Sequence, residues 1–442
     1  MKDSSGAPDK TGPNIKDWIN PILIGSFIIL FSFFFLRDIQ EIPFHPDEAT
    51  QIFMSSDVDL FLQDHNSLIW KPQNPMDIRM QYRLLDAPFS RTWIGIFRVL
   101  GKVPDLPNDW NWSADWGQNI IAGAYPTEEQ FKAGRLASAI FLPLDILFLY
   151  FIGRKLRGNL LGWLMVLLFS LNALVLLHTR RAMSEGPMLF FIILSIWSFL
   201  QNPRFLFLSA IPVALAFNTK YSALPLFILG LFALIYRNYP PKMDRNRLIM
   251  HIAVYVIIFL GMTYFLNPFL WEKPYQAFIA ATVARKALLA RQVADLESIN
   301  QGWISNTISK RFGSILANLF LTPPAFHDVG NYIENTFQAE LKYQSLLIQN
   351  LFRGLIWGII SMVLSSMGFI LGSIHAKRAS PNGRELLIIL LVGSTLQFIF
   401  LFLAFSIPFQ RYVLPLIPFS ILWVAYAINE LFDILKRKKL PD

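Results

Sequence analysis

The feature that most constrains this chain is a series of apolar runs, most of them close to the length of a membrane-crossing helix. A transmembrane helix needs ~20 predominantly apolar residues. Roughly ten such runs are present, near residues 18–36, 136–152, 159–177, 187–200, 204–217, 221–236, 248–266, 351–374, 385–407 and 412–432. Hydrophobic residues make up 54% of the chain and charged residues only 16%, unlike a soluble domain. The runs predict an all-α polytopic membrane protein with roughly ten transmembrane helices.

The positive charge of the chain is concentrated in loops. Its formal net charge is +9. Basic residues cluster at 153–158, 237–247, 375–384 and 436–439. Because these clusters alternate with the apolar runs, they all fall on one side, which the positive-inside rule identifies as the cytoplasm. This placement indicates membrane lipids as partners, and no nucleic acid.

The same alternation predicts the organisation of the chain. We expect a multi-pass protein of the plasma membrane with both termini in the cytoplasm. The predicted parts are an N-terminal segment 1–17, a transmembrane domain 18–432 with outer loops 37–134 and 267–350, and a basic tail 433–442. Short interfacial helices are expected in the outer loops, one of them within residues 83–134 and another over 275–299.

Two adjacent carboxylates, Asp47 and Glu48, follow the first apolar run in the stretch "FHPDEA". An ionisable group beside a membrane is costly unless it is solvated or paired, so its position is informative. After Pro46, the two acids also fit the start of a helix, where the macrodipole favours negative charge. The two interpretations are compatible, since a helix start fixes the direction of a carboxylate.

Other ionisable residues also lie at the predicted outer ends of helices, and they suggest one shared pocket. Its members would be Asp47, Glu48, Arg180, Arg181, Glu185, Lys220, Arg411 and Tyr412. Such a pocket suits group transfer from a lipid-linked phosphate. Lys220 and Arg411 would hold the phosphate and stabilise its growing charge. Asp47 is the candidate base for the proton of the attacking hydroxyl or amine.

Simpler interpretations compete with this one. Taken singly, Arg180, Arg181 and Lys220 are typical interface anchors. His45 with Asp47 and Glu185 would make a metal site, although no fixed ligand spacing demonstrates it.

Asp145 lies in the middle of an apolar run and is the acid that would mark a transport path. The simpler expectation is that Asp145 pairs with polar atoms of a neighbouring helix, such as those of Asn172.

Several motifs together resemble a known superfamily. They are "FHPDEA" in the first outer loop, "AGRLASAIF" (133–141), "RRAMSEGPMLFF" (180–191), "NTKYSALPL" (218–226) and "QRYVLPLIPF" (410–419). In this order the motifs resemble the GT-C superfamily of membrane glycosyltransferases over roughly residues 18–432. Within it, the chain is most similar to the dolichyl-phosphate-mannose protein mannosyltransferase group and the related lipid A aminoarabinose transferases.

The resemblance implies roles for individual residues. Asp47 would be the catalytic acid-base residue, with Glu48 beside it positioning donor or acceptor. Glu185 occupies the place of the second acidic motif. Lys220 falls where the family often has a phosphate-contacting lysine, and Arg411 with Tyr412 where a basic or aromatic residue faces the donor phosphate.

Weaker candidates complete the predicted site: His45, Arg83, Arg91, Arg180 and Arg181. The segment "YRLLDAPFSRTW", which contains Arg83 and Arg91, departs from the His-Pro-Pro-like segment common in the family, and this leaves the acceptor open.

We therefore predict a GT-C-type bundle that moves a sugar from a polyprenyl-phosphate donor to a protein, lipid or glycan acceptor at the outer face, with inversion. No cofactor is required by this chemistry. A divalent cation, Mg²⁺ or Mn²⁺, is left open, with Asp47 and Glu185 as its ligands. The alternatives are a lipid-linked glycan ligase and a secondary transporter or flippase for a lipid-linked or anionic substrate, whose mark would be Asp145.

Overall fold

The structure, a computed structural model, describes residues 15–72, 77–239, 242–299, 304–328, 330–346, 354–404 and 406–438, and within them it contains helices and no strands. The first ten helices are α1 (Ile15–Arg37), α2 (Pro46–Met54), α3 (Asp57–Asp64), α4 (Ile78–Leu85), α5 (Phe89–Leu100), α6 (Trp116–Ile121), α7 (Glu128–Ala139), α8 (Leu142–Arg157), α9 (Asn159–Ser170) and α10 (Ala173–His178). They are followed by α11 (Glu185–Phe199), α12 (Ala210–Thr219), α13 (Pro225–Asn238), α14 (Arg245–Leu266), α15 (Pro274–Ile299), α16 (Ile308–Leu316), α17 (Ile333–Gln344), α18 (Leu355–Arg378), α19 (Pro381–Ala404) and α20 (Ile417–Lys438). Residues 1–14 of the predicted N-terminal segment and 439–442 of the predicted basic tail lie outside the described residues.

Within the described ranges, seven helical segments are long and apolar enough to cross a membrane: Asn20–Arg37, Glu128–Arg157, Tyr221–Asn238, Arg245–Leu266, Leu355–Arg378, Pro381–Ala404 and Gln410–Lys436. The polytopic all-α class is confirmed, but the count of roughly ten spans is not. The other three predicted runs form shorter apolar helices, Asn159–Ser170, Glu185–Phe199 and Pro203–Thr219. The run 159–177 is interrupted because the Asn172 side chain accepts the backbone N–H groups of Leu174 and Val175 and starts a new helix there.

The helices differ in how much protein surrounds them. In the most apolar 18-residue stretch of each span, 83% of the residues are buried in Gln410–Lys436, 11% in Asn20–Arg37 and 17% in Leu355–Arg378. The last span is therefore central, and α1 and α18 lie at the periphery. Their exposed apolar side chains, such as Phe33 and Ile356, suit contact with lipid tails.

Chain direction sorts the loops into two ends of the bundle. One end carries the described residues 38–72, 77–127, 267–299, 304–328, 330–346 and 354, and we call it the loop end. At the opposite end, basic residues of the predicted cytoplasmic clusters form ion pairs. Arg157 contacts Glu430 and Asp433 of α20, and Arg237 Nε lies 3.2 Å from Glu385 Oε2. These pairs tie α8 to α20 and α13 to α19.

The loop end is built from short helices around a second apolar cluster. Phe44, Trp110 and Tyr332 pack together there, with Phe44 to Trp110 at 5.1 Å between ring centroids. This cluster joins the segment after α1 to the segment before α17. The predicted helices after "YRLLDAP" and over 275–299 are present as α5 and α15.

Candidate active site

The N-terminus of α2 presents the two adjacent acids in different directions. Pro46 begins the helix, and His45 Nδ1 accepts the backbone N–H of Asp47 at 3.1 Å. The Glu48 carboxylate accepts the backbone N–H of His45 at 3.2 Å, which completes a capping box. Successive residues of a helix are rotated by about 100°. Asp47 therefore points toward Arg411 and Glu48 toward Arg135.

Glu48 is fully enclosed by protein. Arg135 holds it with two parallel hydrogen bonds of 2.8 and 2.9 Å, and the backbone N–H of Ala182 donates a third at 2.9 Å. Burial opposes its ionisation, but Arg135 lowers the pKa of Glu48 below its usual value. These bonds join α2, α7 and the segment before α11. None of the Glu48 surface is accessible, and its expected placement beside the substrate stays a prediction.

Asp47 belongs to a charged network at the loop end. Arg411 Nη1 donates to Asp47 Oδ2, and Arg411 Nε lies 3.1 Å from Asp328 Oδ2. His45 Nε2 lies 3.4 Å from the same oxygen of Asp328. The Asp47 side chain is one-third exposed, whereas the His45 side chain is 1% exposed. Asp47 is thus the open member of this network.

The charges of the network act on both acids. Burial raises the pKa of Asp47, but Arg411 and His45 together lower it below its usual value. Burial likewise opposes ionisation of Asp328, and Arg411 and His45 hold its pKa well below the usual range. Both carboxyls are therefore ionised at neutral pH. His178 lies nearby, and burial lowers its pKa well below the usual value, so that its ring is neutral.

A second ion pair lies next to this network. Lys220, at the end of α12, places Nζ 2.5 Å from Glu185 Oε1 at the start of α11. Lys220 Nζ lies 5.5 Å and Arg411 Cζ lies 5.6 Å from the ring centroid of Tyr412. Tyr412 therefore contacts both cations. The structure brings together Asp47, Glu185, Lys220, Arg411 and Tyr412, as the pocket predicted from the sequence requires.

Gly186 allows α11 to start at this place. A Cβ atom on Gly186 would lie 2.5 Å from the carbonyl oxygen of Ser138 and 2.9 Å from that of Thr179. Only glycine permits this close backbone approach, which fixes the position of the neighbouring Glu185.

The other arginine candidates are engaged elsewhere. Arg83 Nη2 and Arg91 Nε contact Asp57 at 2.7 and 3.1 Å, and thus link α4 and α5 to α3. Arg180 donates to the Tyr343 hydroxyl at 2.8 Å, and Arg181 donates to the Phe326 carbonyl at 2.5 Å. Arg180 and Arg181 are buried in protein, so the interpretation of them as membrane-interface anchors is wrong.

Three functional candidates were not singled out from the sequence: Arg135, Asp328 and Asp86. Arg135 lies within the quoted "AGRLASAIF" motif, and a single arginine among small and apolar residues is the signal that points to it. Asp328 lies in a segment of the loop end whose composition is unremarkable. Asp86 lies in the segment that departs from the family pattern, and only the fold brings it within electrostatic reach of Asp47.

The metal prediction stays a prediction. Over the described part of the chain, no group of three or more His, Asp or Glu side chains is arranged to hold a metal ion. Asp47 and Glu185, the proposed ligands, are each paired with a cation.

The expected pairing of Asp145 with Asn172 is wrong. Both Asp145 carboxylate oxygens are buried without a hydrogen-bond partner among the described residues. The Asn172 side chain is instead used to start α10.

Comparison with sequence models of known families supports the resemblance drawn from the motifs. Residues 119–271 match the sequence model of a family described as dolichyl-phosphate-mannose-protein mannosyltransferase. This range contains Glu185 and Lys220, whereas Asp47 and Arg411 lie outside it. No curated protein matches the chain significantly.

Two similar solved structures come from a yeast and an archaeon. The S. cerevisiae protein O-mannosyltransferase Pmt1-Pmt2 complex, bound to the sugar donor, is 14% identical with a TM-score of 0.42 over 61% of this chain. The Archaeoglobus fulgidus oligosaccharyltransferase, in complex with Zn and sulfate, is 11% identical with a TM-score of 0.47 over 92% of this chain. The matches cover 35% and 49% of those two chains, respectively. The family match confirms the resemblance stated from the motifs over part of the chain: residues 119–271 are similar to the dolichyl-phosphate-mannose-protein mannosyltransferase family.

Proposed function

We propose that the protein is a membrane glycosyltransferase that takes a sugar from a polyprenyl-phosphate donor and transfers it to an acceptor at the outer face of the plasma membrane. The observation that carries this proposal is the juxtaposition of Asp47 with Arg411 beside the Lys220–Glu185 pair. Carboxylates and phosphate-binding cations meet there at one end of a helix bundle. A lipid-linked phosphate needs this combination, since its tail lies in the bilayer and its sugar in water.

The proposed reaction exchanges ion pairs. The donor phosphate binds the Arg411 guanidinium and the Lys220 ammonium, and so replaces Asp47 and Glu185 as their partners. Arg411 keeps its Nε contact with Asp328, which holds the side chain in place. Asp47, released from its cation, becomes a stronger base.

The bond changes follow from this arrangement. The acceptor oxygen or nitrogen attacks the anomeric carbon, and its proton passes to Asp47. The bond between the anomeric carbon and the phosphate oxygen breaks, and Arg411 and Lys220 stabilise the charge of the leaving phosphate. A single direct displacement inverts the anomeric configuration.

The first test is transfer of radiolabelled sugar from a panel of polyprenyl-phosphate sugars into total membrane acceptors by the purified protein, with and without a chelator. We expect transfer from at least one donor, and the labelled product identifies the acceptor as protein, lipid or glycan. Loss of transfer with the chelator would establish a cation requirement. Absence of transfer from every donor would contradict the proposal. A labelled glycan product built from a lipid-linked oligosaccharide would instead identify a glycan ligase.

Arg411→Gln is expected to weaken donor binding, because a charge-assisted hydrogen bond to the phosphate is lost. The half-saturating donor concentration should rise roughly 10- to 100-fold, from the ~1.5–3 kcal/mol of such a bond. Donor-dependent transfer rates give this quantity. Arg411→Lys, which keeps the charge, should give an intermediate value. Arg204→Gln removes an exposed arginine at the opposite end and is the matched control. Equal donor saturation in Arg411→Gln and wild type would remove Arg411 from the phosphate site.

A second candidate function, transport of a lipid-linked or anionic substrate, is favoured by Asp145 alone. Its carboxylate is fully buried in α8 and unpartnered among the described residues. The two functions predict opposite outcomes for two substitutions in substrate-dependent assays with reconstituted vesicles. A transferase loses turnover in Asp47→Asn and retains it in folded Asp145→Asn, whereas a transporter shows the reverse.

A further inference from the structure

Asp86 ends α4 at the turn into α5, and its backbone is fixed. Its N–H donates to the Tyr82 carbonyl at 2.8 Å, and its carbonyl accepts from Arg91 Nη1 at 3.0 Å. The preceding carbonyl, of Leu85, accepts a hydrogen bond from Arg285 of α15. The turn therefore holds the half-buried Asp86 side chain in a set position.

The same turn lies beside the candidate active site. The Arg285 guanidinium that binds the turn also lies 5.4 Å from the ring centroid of Tyr221, the residue after Lys220. The charged groups that act on the Asp86 carboxyl come from four elements: Arg285 of α15, Arg91 of α5, Asp47 of α2 and Lys220 at the end of α12.

Asp86 differs from the other acids of the site in having no partner for its carboxylate. Asp47, Asp328 and Glu185 each pair with a cation. The Asp86 carboxylate makes no hydrogen bond and no ion pair with any residue in the described ranges. Of the nearby cations, Arg91 pairs with Asp57, Lys220 pairs with Glu185, and Arg285 donates to the Leu85 carbonyl.

A carboxylate without a hydrogen-bond partner at this position favours one kind of ligand. Burial raises the pKa of Asp86, the neighbouring Arg285 and Arg91 lower it, and the charge of Asp47 raises it; together they leave it above its usual value. A hydrogen bond donated to the Asp86 carboxylate would stabilise its ionised form, whereas the negative charge of that carboxylate would repel a phosphate. The donor phosphate already has Arg411 and Lys220 in the proposed function. The ligand of Asp86 is then on the acceptor side of the reaction.

We propose that Asp86 is the acceptor-binding carboxylate of this site, which takes a hydrogen bond from a hydroxyl or amine of the acceptor next to the group that Asp47 deprotonates. The acceptor is accordingly a hydroxyl- or amine-bearing molecule without an anionic group at that position. This inference rests on the proposed transferase function and adds a determinant of acceptor choice to it.

The test compares wild type with Asp86→Asn in the full-length purified protein at saturating donor. Delipidated membrane protein and an organic-solvent lipid extract are titrated as separate acceptor fractions. In the fraction that receives sugar, we expect the half-saturating acceptor concentration to rise roughly tenfold or more in Asp86→Asn, because a hydrogen bond to a charged group is lost. The half-saturating donor concentration should stay unchanged. Asp295→Asn, which removes an exposed acid of α15, is the matched control.

Dependence on pH separates acceptor binding from a structural role. In wild type, the half-saturating acceptor concentration should rise as the pH falls through the pKa of Asp86, because the protonated acid is a weaker hydrogen-bond acceptor. In Asp86→Asn this dependence should be absent. A wild-type half-saturating acceptor concentration in an active, folded Asp86→Asn, or a changed half-saturating donor concentration, would overturn this inference and leave the proposed function standing. A wild-type protein that transfers no sugar to either fraction would overturn the proposed function, and this inference with it.

Discussion

Asp47→Asn is expected to reduce sugar transfer by about 10²- to 10⁴-fold, the usual contribution of a positioned general base. The amide keeps the shape of the carboxylate but does not take the acceptor's proton. Donor binding should be retained, since the phosphate binds Arg411 and Lys220. The measurement is single-turnover transfer of labelled sugar together with equilibrium binding of the donor, on the same preparation.

Two comparisons make this result specific. Asp64→Asn changes an exposed acid of the same loop end and should leave transfer within about twofold, since surface substitutions have small effects. The pH profile gives an independent check. Arg411 helps to hold the pKa of Asp47 low. A weaker ion pair in Arg411→Lys would raise the pKa of Asp47. The pH below which kcat/KM falls should then be higher in Arg411→Lys than in wild type. An Asp47→Asn protein that transfers sugar at the wild-type rate would assign the chemistry to another residue.

Arg135→Leu is expected to destabilise the fold more than any substitution at the open part of the site. It leaves the fully buried Glu48 carboxylate without its cation, and breaking such a pair costs about 3–5 kcal/mol. The carbonyl oxygens of Ile39 and Gln40 lose a hydrogen-bond donor as well. Thermal unfolding in detergent, followed by circular dichroism, should show a midpoint several degrees lower.

The role of Glu48 can be tested with the same measurement. Glu48→Gln should lower the unfolding midpoint, and the protein that remains folded should keep most of its transfer rate. Glu129→Gln, an exposed acid in the first turn of α7, is the matched control. Because the folded pKa of Glu48 lies below its unfolded value, the pair's contribution is complete above the usual Glu pKa. It is lost as the pH falls through the folded value. Folded but inactive Glu48→Gln would support the predicted catalytic role of Glu48.

Adjacent residues illustrate how far the sequence interpretation reaches. The stretch "HPDEA" identified a helix start with two acids at it, and the structure has that helix start. It did not distinguish Asp47 from Glu48. The distinction comes from the rotation of about 100° per residue, which turns one acid to Arg411 and the other to Arg135. Which face of a short helix is covered depends on its neighbours, and no local pattern in a nine-residue helix encodes that.

The positions of Asp86 and Asp328 show a second limit. Each lies in a loop segment with ordinary composition, and each reaches the site because a distant element packs against it. Arg285 binds the turn before Asp86, and Arg411 contacts Asp328. Sequence patterns report local periodicity and cannot report such contacts.

By itself, the sequence determined the membrane class, the helical periodicity and the residue types available for phosphate chemistry, because the lengths of apolar runs and the cost of charge near lipid are local properties. The tertiary structure alone decided the partners. Asp47 and Arg411 are 364 positions apart and meet because α2 and the start of the last span lie at the same end of the bundle. Whether a carboxylate is buried as a structural anchor or left open to a ligand depends on such long-range packing, which no single segment specifies.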